Sequence, residues 1–353
     1  MKQLYVDFAV ERALALLAID SPTGFTSRAA AWVKEAFSSL GFEAAFTGKG
    51  GVLVRLGGEG SENGLLLQAH TDTLGAIVAE IKEKGRLRLS PLGGMRAENG
   101  EAENVRVYTR EGRVIEGTFQ LCNASVHVNS AYGDEKRSFE TGEVVLDEAV
   151  STPEEVRALG VEVGDIVCFD PRSRLTASGY LKSRFLDDKL SVGILLGLAK
   201  LLKDTEAVLP RPLYAHITVY EEVGHGAAAT LPEGVTEVLS VDMGCVGEGL
   251  SCTERQVSIC AKDSGGPYSY ETVGALIAAA RRAGVDYAVD VYPHYGSDAE
   301  ATLKAGADVR HGLIGPGVYA SHGYERSHLE GVRNTLKLLA AYLELAKAED
   351  SEV

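Results

Sequence analysis

The chain has 353 residues, a formal net charge of −15 and 45% hydrophobic residues. Its length predicts roughly two domains, and its negative charge disfavours nucleic acid and anionic membrane surfaces as partners. Five cysteines without a CxxC pair argue against a disulfide scaffold. The longest apolar run, 192–199, is too short to span a bilayer. Charged residues interrupt the N-terminal apolar stretch, and its apolar positions recur at helical spacing, so we expect no signal peptide and a cytoplasmic protein.

The first part of the chain predicts two amphipathic helices followed by strands. The helices are expected near 6–17 and 26–40, with the turn-forming segment 21–24 between them. A short strand is expected at 42–46. The run 64–70 (GLLLQAH) is apolar and ends in polar residues, which indicates a buried strand with His70 at its end.

From about residue 74 the helical periodicity disappears and short alternating segments replace it. Turns such as 111–112 and 132–134 separate these segments. The pattern is typical of a small β-barrel, which we predict as an insert at 74–177. The predicted strands are 76–81, 86–90, 104–108, 113–119, 143–147 and 165–169.

Beyond residue 179, helices and strands alternate again. This alternation predicts an α/β fold, an αβα sandwich with helices on both faces of a mixed sheet. The catalytic domain would then be discontinuous, with 1–73 before the barrel and 178–353 after it. Predicted helices are 191–202, 270–283, 298–305 and 329–346, and predicted strands are 213–220, 235–242, 256–261, 286–292 and 309–314.

Ionisable side chains stand at five predicted strand ends or loops, which is where open α/β sheets bind ligands. Histidine nitrogens and carboxylate oxygens together suit Zn²⁺, Co²⁺ or Mn²⁺. Each position also has an ordinary structural explanation, since an acidic pair before a helix is a typical N-cap and a Glu pair after a strand can be a solvated turn. The positions are His70 with Asp72, Asp187 with Asp188, Glu221 with Glu222, Asp242, and His322.

These segments, in this order, resemble the TET/deblocking and glutamyl aminopeptidase group, family forty-two of the metallopeptidases in clan MH. The resemblance covers nearly the whole chain, since 164–170 (GDIVCFD) is similar to the family's insert. It implies a dinuclear metal-dependent aminopeptidase that removes N-terminal residues from short peptides. The matching segments are 69–75 (AHTDTLG), 185–189 (FLDDK), 221–224 (EEVG), 240–242 (SVD) and 321–323 (SHG).

The resemblance also implies a set of metal ligands. Two divalent ions per subunit are expected, with Zn²⁺ as the first candidate and Co²⁺ or Mn²⁺ as the others. A carboxylate that bridges two such ions holds them roughly 3.5–4 Å apart. The implied ligands are His70 and Asp242 for one ion, Glu222 and His322 for the other, and Asp187 as the bridge between them.

Two further residues receive catalytic roles from the resemblance. Glu221 is implied as the general base, and Asp72 as the residue that holds His70 in its metal-binding tautomer. Successive side chains of a strand point to opposite faces, so different roles for Glu221 and Glu222 require an irregular backbone at this strand end.

The sequence departs from the family pattern at its last histidine, which commonly stands in a His-Ser-Pro context. The run here is 321–328 (SHGYERSH), so His328 is a rival to His322 as ligand, or else caps the terminal helix. The run resembles a bacterial branch associated with an N-acetylglutaminylglutamine amide osmolyte system. Substrate contacts are expected from His225, after the Glu pair, and from Ser297 and Asp298, in a segment similar to a family loop beside the active site.

Three functional hypotheses follow. The first is an aminopeptidase on short peptides, and the second is a deacylase or peptidase on small blocked or amidated dipeptides that uses the same metal pair. The third is a metal-binding scaffold without catalysis, which the retention of Glu221 disfavours. The resemblance also implies that the inserted barrel at 74–177 mediates assembly, into dimers or tetrahedral dodecamers.

Overall fold

The computed structural model describes residues 1–345. Its α-helices are α1 (Gln3–Leu17), α2 (Ser27–Ser39), α3 (Ala97–Gly100), α4 (Pro153–Ala158), α5 (Leu186–Thr205), α6 (Tyr270–Ala283), α7 (Asp298–Lys304) and α8 (Leu329–Tyr342). The first nine strands are β1 (Glu43–Phe46), β2 (Val52–Gly57), β3 (Gly64–His70), β4 (Gly75–Lys82), β5 (Arg86–Leu92), β6 (Glu103–Tyr108), β7 (Val114–Leu121), β8 (Gly142–Leu146) and β9 (Ile166–Phe169). The others are β10 (Arg174–Leu175), β11 (Tyr180–Ser183), β12 (Leu213–Thr218), β13 (Val235–Val241), β14 (Gly244–Val246), β15 (Val257–Lys262), β16 (Tyr287–Val291), β17 (Arg310–Tyr319) and β18 (Glu325–His328).

Within residues 1–345, twelve strands form one sheet. It is mixed, as the sequence predicts. Its main order is β1-β2-β12-β3-β13-β17-β18-β11-β10, with β14, β15 and β16 joined to β17 at the side. The pairs β12–β3, β3–β13 and β13–β17 are parallel. Every residue of β3 is buried, so both faces of the sheet are covered at its centre. The predicted α/β sandwich is therefore confirmed.

A closed antiparallel barrel accompanies the sheet. Its strand order is β4-β5-β8-β7-β6-β9, and the six strands overlap the six predicted between residues 76 and 169. The barrel is fixed to the other part of the chain at Asp20, where Arg106 donates two hydrogen bonds of 2.7 Å and the Tyr108 hydroxyl donates one of 2.6 Å. Burial alone would raise the pKa of Asp20, but the hydrogen bond from Arg106 holds it below its usual range. The domain division at 74 and 178 remains a proposal.

Strand β17 differs most from its prediction. We expected it to end near residue 314, but it continues to Tyr319 through glycines and Pro316. Glycine and proline weaken a strand signal in a sequence, although here the glycines serve close strand packing. A Cβ atom at Gly315 would lie 1.5 Å from the carbonyl oxygen of Asp242, so only glycine fits there.

The other differences concern element ends and short elements. Helix α5 begins at Leu186 rather than 191, and α8 ends at Tyr342, while residue 346 of the predicted helix lies outside the described residues. Strands β2, β10, β11, β14 and β18 were not predicted. No helix within residues 1–345 has the length and apolar character that a membrane crossing requires.

Candidate metal centre

The candidate ligands meet at one edge of the sheet because parallel strands deliver them there. Strand β3 ends at His70, and its parallel neighbours β12 and β13 end just before Glu221 and Asp242. The carboxyl ends of parallel strands lie at the same edge, which is the usual ligand site of such sheets. The start of α5 supplies Asp187, and the turn before β18 supplies His322.

His70 is buried and oriented for metal binding. Its Nδ1 lies 2.9 Å from the carbonyl oxygen of Asp72, and its Nε2 lies 3.0 Å from Oδ1 of Asp187. When Nδ1–H donates to the carbonyl, the Nε2 lone pair is left to face the carboxylates, as in a metal-binding histidine. The backbone oxygen of Asp72 makes the shorter contact to this nitrogen, and Oδ1 of its carboxylate lies 3.6 Å from the same Nδ1. The tautomer-setting role of Asp72 stays a prediction.

Asp187 faces two histidines with its two oxygens. While Oδ1 lies against His70, Oδ2 is 3.5 Å from Nε2 of His322. The same Nε2 lies 3.6 Å from Oε2 of Glu222. A carboxylate between two separate nitrogen ligands is the arrangement that a bridging ligand requires.

The Glu221–Glu222 pair sits on an irregular backbone, as expected. Tyr220 adopts a left-handed conformation with φ of 69°, and residues 221–223 form a single 3₁₀ turn. The Asp72 carboxylate stabilises this turn: Oδ1 accepts the Glu221 N–H at 3.1 Å, and Oδ2 accepts the Glu222 N–H at 3.3 Å. The Thr23 hydroxyl donates to Oδ2 at 2.7 Å. In this turn, Oε2 of Glu221 lies 3.7 Å from Nε2 of His70.

The electrostatics of the centre suit cations. Burial and the charge of Asp187 raise the pKa of Glu222 well above its usual range and that of Asp242 to about 7. Burial alone would lower the pKa of His70, but the charge of Glu221 and the hydrogen bond to Asp187 raise it well above 6.5. Several carboxylates are thus crowded in a buried space, which is costly unless positive charge balances them.

The donor set fits divalent metal ions. Within residues 1–345, two groups offer ligand atoms that all lie within 4.8 Å of one another. Both include His70, in one case with Asp187 and Glu222 and in the other with Asp188 and Asp242. Oε1 of Glu222 and Oδ1 of Asp188 are buried and lack a hydrogen-bond partner in the described chain. Nitrogen and carboxylate donors of this kind suit Zn²⁺, Co²⁺ and Mn²⁺.

Two residues of the centre received no role from the sequence. Asp188 is joined to Asp187 by a cis peptide bond, and its Oδ2 accepts the His70 N–H at 3.2 Å. Glu325 is buried, where its Oε1 accepts the His322 N–H at 2.9 Å and its Oε2 accepts the Asp187 N–H at 3.1 Å. Glu325 therefore positions the backbones of two candidate ligands. Its place in the SHGYERSH run was visible, but nothing in that run distinguished it from a surface residue.

The barrel side of the chain forms one wall of the centre. Gly93 and Gly94 follow β5 and pack directly on Glu222 and His322. In α3, Asn99 donates through Nδ2 to the His322 carbonyl oxygen at 2.9 Å. The segment 93–99 therefore contacts both the ring and the backbone of His322.

Gly94→Ala is expected to weaken metal binding about 10- to 100-fold, the usual effect of disturbing the groups that orient a ligand. A Cβ atom at this position would lie 2.5 Å from Nδ1 of His322, so the ring must move. Titration calorimetry with Zn²⁺ measures the effect. Gly133→Ala, where a Cβ meets nothing within 4 Å, is the matched control. Equal affinities in the two variants would contradict the packing argument.

The remaining candidates lie around the centre. The rival ligand His328 lies outside the cluster: Nε2 is 3.0 Å from the Ser178 carbonyl oxygen, and Nδ1 accepts the Glu330 N–H at 3.0 Å, which caps α8. His225 is exposed and stacks on Tyr220, with 5.3 Å between ring centroids.

Ser297 and Asp298 line the cleft but are engaged within the protein. The Ser297 hydroxyl lies 2.8 Å from that of Tyr268. Asp298 accepts the Ala227 N–H at 2.7 Å and a hydrogen bond from the Thr218 hydroxyl. These contacts position the loop that follows Glu221 and Glu222. The cleft above the cluster measures about 530 Å³, a size usual for small-molecule sites.

A family model described as M42 glutamyl aminopeptidase matches residues 50–338. The chain belongs to the M42 peptidase family. As an M42 peptidase it is an aminopeptidase, a hydrolase of peptide bonds, and its family implies divalent metal ions. It is 41% identical over 329 residues to YhfE of Bacillus subtilis, which is named provisionally as an aminopeptidase, covering 93% of this chain and 95% of that protein. It is 27% identical over 217 residues to the glutamyl aminopeptidase of Lactococcus lactis, covering 61% and 60% of the two chains.

Solved structures of aminopeptidases share the fold. The aminopeptidase APDkam598 of Desulfurococcus kamchatkensis superposes with a TM-score of 0.85 at 23% identity, covering 97% of this M42 peptidase and 96% of that chain. The TET1 peptidase of Pyrococcus horikoshii superposes with a TM-score of 0.82 at 22% identity, covering 94% and 98%. That peptidase is described as able to assemble into a tetrahedron or a large octahedral shell.

Proposed function

We propose that this M42 peptidase is a dinuclear metal-dependent aminopeptidase that removes N-terminal residues from short peptides. The observation that carries the proposal is the position of Asp187, whose two carboxylate oxygens face His70 and His322 separately. We assign Zn²⁺ as the first candidate ion, with Co²⁺ and Mn²⁺ as alternatives. The proposed ligands are His70 and Asp242 for one ion, Glu222 and His322 for the other, and Asp187 for both.

The bound metal pair would supply Lewis acidity, which polarises the scissile carbonyl and lowers the pKa of water. Both Glu221 and Glu222 line the cleft, and Glu222 faces His322 as a proposed ligand, so Glu221 is the proposed general base. It accepts a proton from the attacking water and returns it to the leaving amine. Asp72 holds the Glu221 backbone in place through the hydrogen bond to its N–H. The orientation of the base therefore depends on a buried carboxylate that need not touch the substrate.

Metal removal tests the proposal. The protein is treated with a chelator, and hydrolysis is followed for aminoacyl-p-nitroanilides, free-amine peptides and acetyl-blocked dipeptides. We expect chelation to abolish the cleavage of free-amine substrates, and Zn²⁺, Co²⁺ or Mn²⁺ to restore it, because the buried carboxylates need cations to adopt their working arrangement. Ion binding should also raise the thermal midpoint, since a ligand of the folded state stabilises it by mass action.

Two outcomes would contradict this function. Turnover of blocked or amidated dipeptides alone would make the chain a specialised deacylase on the same scaffold. Binding of two ions without any turnover would favour a metal-binding scaffold and remove the role given to Glu221.

We further propose that the chain self-associates in the cytoplasm through its barrel. The support is the fold shared with the TET1 peptidase, which is described as assembling into closed shells. Sedimentation velocity measures this directly. A species of twelve chains is expected, and a monomer at micromolar concentration would reject it.

A further inference from the structure

The wall that the barrel contributes to the cleft carries an unpaired arginine. Arg96 lines the cleft and is exposed. Within residues 1–345, its guanidinium has no hydrogen bond, ion pair or aromatic ring as partner. Along the chain, Arg96 stands between two residues that contact His322. Gly94 packs on the His322 ring, and Asn99 donates a hydrogen bond to the His322 carbonyl oxygen.

A hydrogen bond to the backbone of Asn99 also holds the segment that carries Arg96. Buried Arg184 donates to the Asn99 carbonyl oxygen at 2.6 Å and forms an ion pair with Glu103. A charged group whose backbone is fixed on both sides, but whose donors are unused, is suited to bind a ligand. Little backbone order has to be created when the ligand arrives.

The other charged side chains of the cleft are already engaged. Lys304 pairs with Glu300 at 3.1 Å, and both oxygens of Asp298 accept hydrogen bonds within the protein. The remaining carboxylates belong to the proposed metal centre. Among the described lining residues, Arg96 is therefore the unpaired side chain with a permanent positive charge.

From this geometry we propose that Arg96 binds a carboxylate of the substrate, beside the His322 edge of the metal centre. A guanidinium presents donors in a planar fork that matches the two oxygens of a carboxylate. The chain has a net charge of −15, which repels anionic substrates, and a guanidinium in the cleft offsets this repulsion locally. The inference rests on the proposed peptidase function and adds a substrate class to it.

The carboxylate can come from the C-terminus of a di- or tripeptide, or from an acidic side chain. Two matched substrate pairs separate these sources. The first pair is alanyl-alanine and alanyl-alanine amide, and the second is glutamyl- and glutaminyl-p-nitroanilide. Within each pair, only one member carries the carboxylate in question.

The test compares Arg96→Ala with the wild type on these four substrates. We expect KM to rise about 10- to 100-fold for the carboxylate member of one pair, with less than about twofold change for its neutral partner, because hydrogen bonds to charged groups have this strength. Arg96→Lys keeps the charge without the fork and should fall between. Arg157→Ala, an exposed arginine of α4 outside the cleft, is the matched control.

The pair that responds identifies the source of the carboxylate. Equal changes for both members of each pair, or no change at all, would overturn the proposal. A second measurement is independent of turnover: calorimetric affinities of the same pairs for metal-loaded Glu221→Gln, with and without Arg96→Ala. If the wild type hydrolyses none of the four substrates, the peptidase function fails, and the calorimetric difference still decides the role of Arg96.

Discussion

Glu221→Gln is expected to lower kcat by about 10²- to 10⁴-fold while leaving the metal content of the chain unchanged. Glutamine has nearly the same shape and keeps one oxygen, but it cannot accept a proton at neutral pH. The backbone N–H of residue 221 still donates to Asp72, so the turn at the end of β12 should persist. Steady-state kinetics on an aminoacyl-p-nitroanilide, together with metal analysis of the same sample, measures both quantities.

The matched control for this prediction is Glu148→Gln, because Glu148 is exposed in the barrel segment and its removal changes the net charge equally. It should retain wild-type kinetics. If Glu221→Gln loses bound metal together with its activity, Glu221 is a ligand rather than the base. If it keeps more than about a tenth of wild-type kcat, proton transfer must run through another group.

Asp187→Asn should reduce the bound metal from two ions to one or fewer per chain and lower activity by more than about 100-fold. Changes to groups that only orient a ligand already cost about 10- to 100-fold, and a shared ligand affects both ions at once. Asparagine offers one carbonyl oxygen and no charge, so it cannot bind an ion beside His70 and a second ion beside His322, as the Asp187 carboxylate is proposed to do. Metal content after gel filtration and calorimetry with Zn²⁺ provide the measurement.

Asp147→Asn controls for the loss of one negative charge, since Asp147 is exposed in the turn after β8. It should bind two ions, as the wild type does. A loss of structure in Asp187→Asn would be visible by circular dichroism and must be absent for the comparison to count. Two ions bound with unchanged affinity in Asp187→Asn would eliminate the bridging assignment.

The sequence could predict the sheet edge of the centre because the ligands follow the rules of parallel strands. His70 and Asp242 end or follow apolar runs, and strands that run in parallel bring such ends together. The same logic placed Glu221 and Glu222 and required their irregular backbone. These inferences needed only local periodicity and one packing rule.

Other parts of the centre depend on contacts between distant segments, which periodicity does not encode. Glu325 is recognisable only once the N–H groups of residues 187 and 322 are seen to converge on it. Gly94 and Asn99 matter because the barrel packs against the turn that holds His322. Strand β17 was predicted too short because the glycines that allow close strand packing also resemble a turn.

The division of the cleft between two parts of the fold has a consequence for how this enzyme could diversify. The proposed ligands and base lie at the sheet edge, at the start of α5 and in the turn before β18, whereas Arg96 and Asn99 lie in the segment that connects the barrel strands β5 and β6. A substitution at Arg96 can alter which peptides are accepted without changing any residue that acts on the scissile bond. Two selective pressures, on reaction and on substrate choice, therefore fall on separate stretches of sequence.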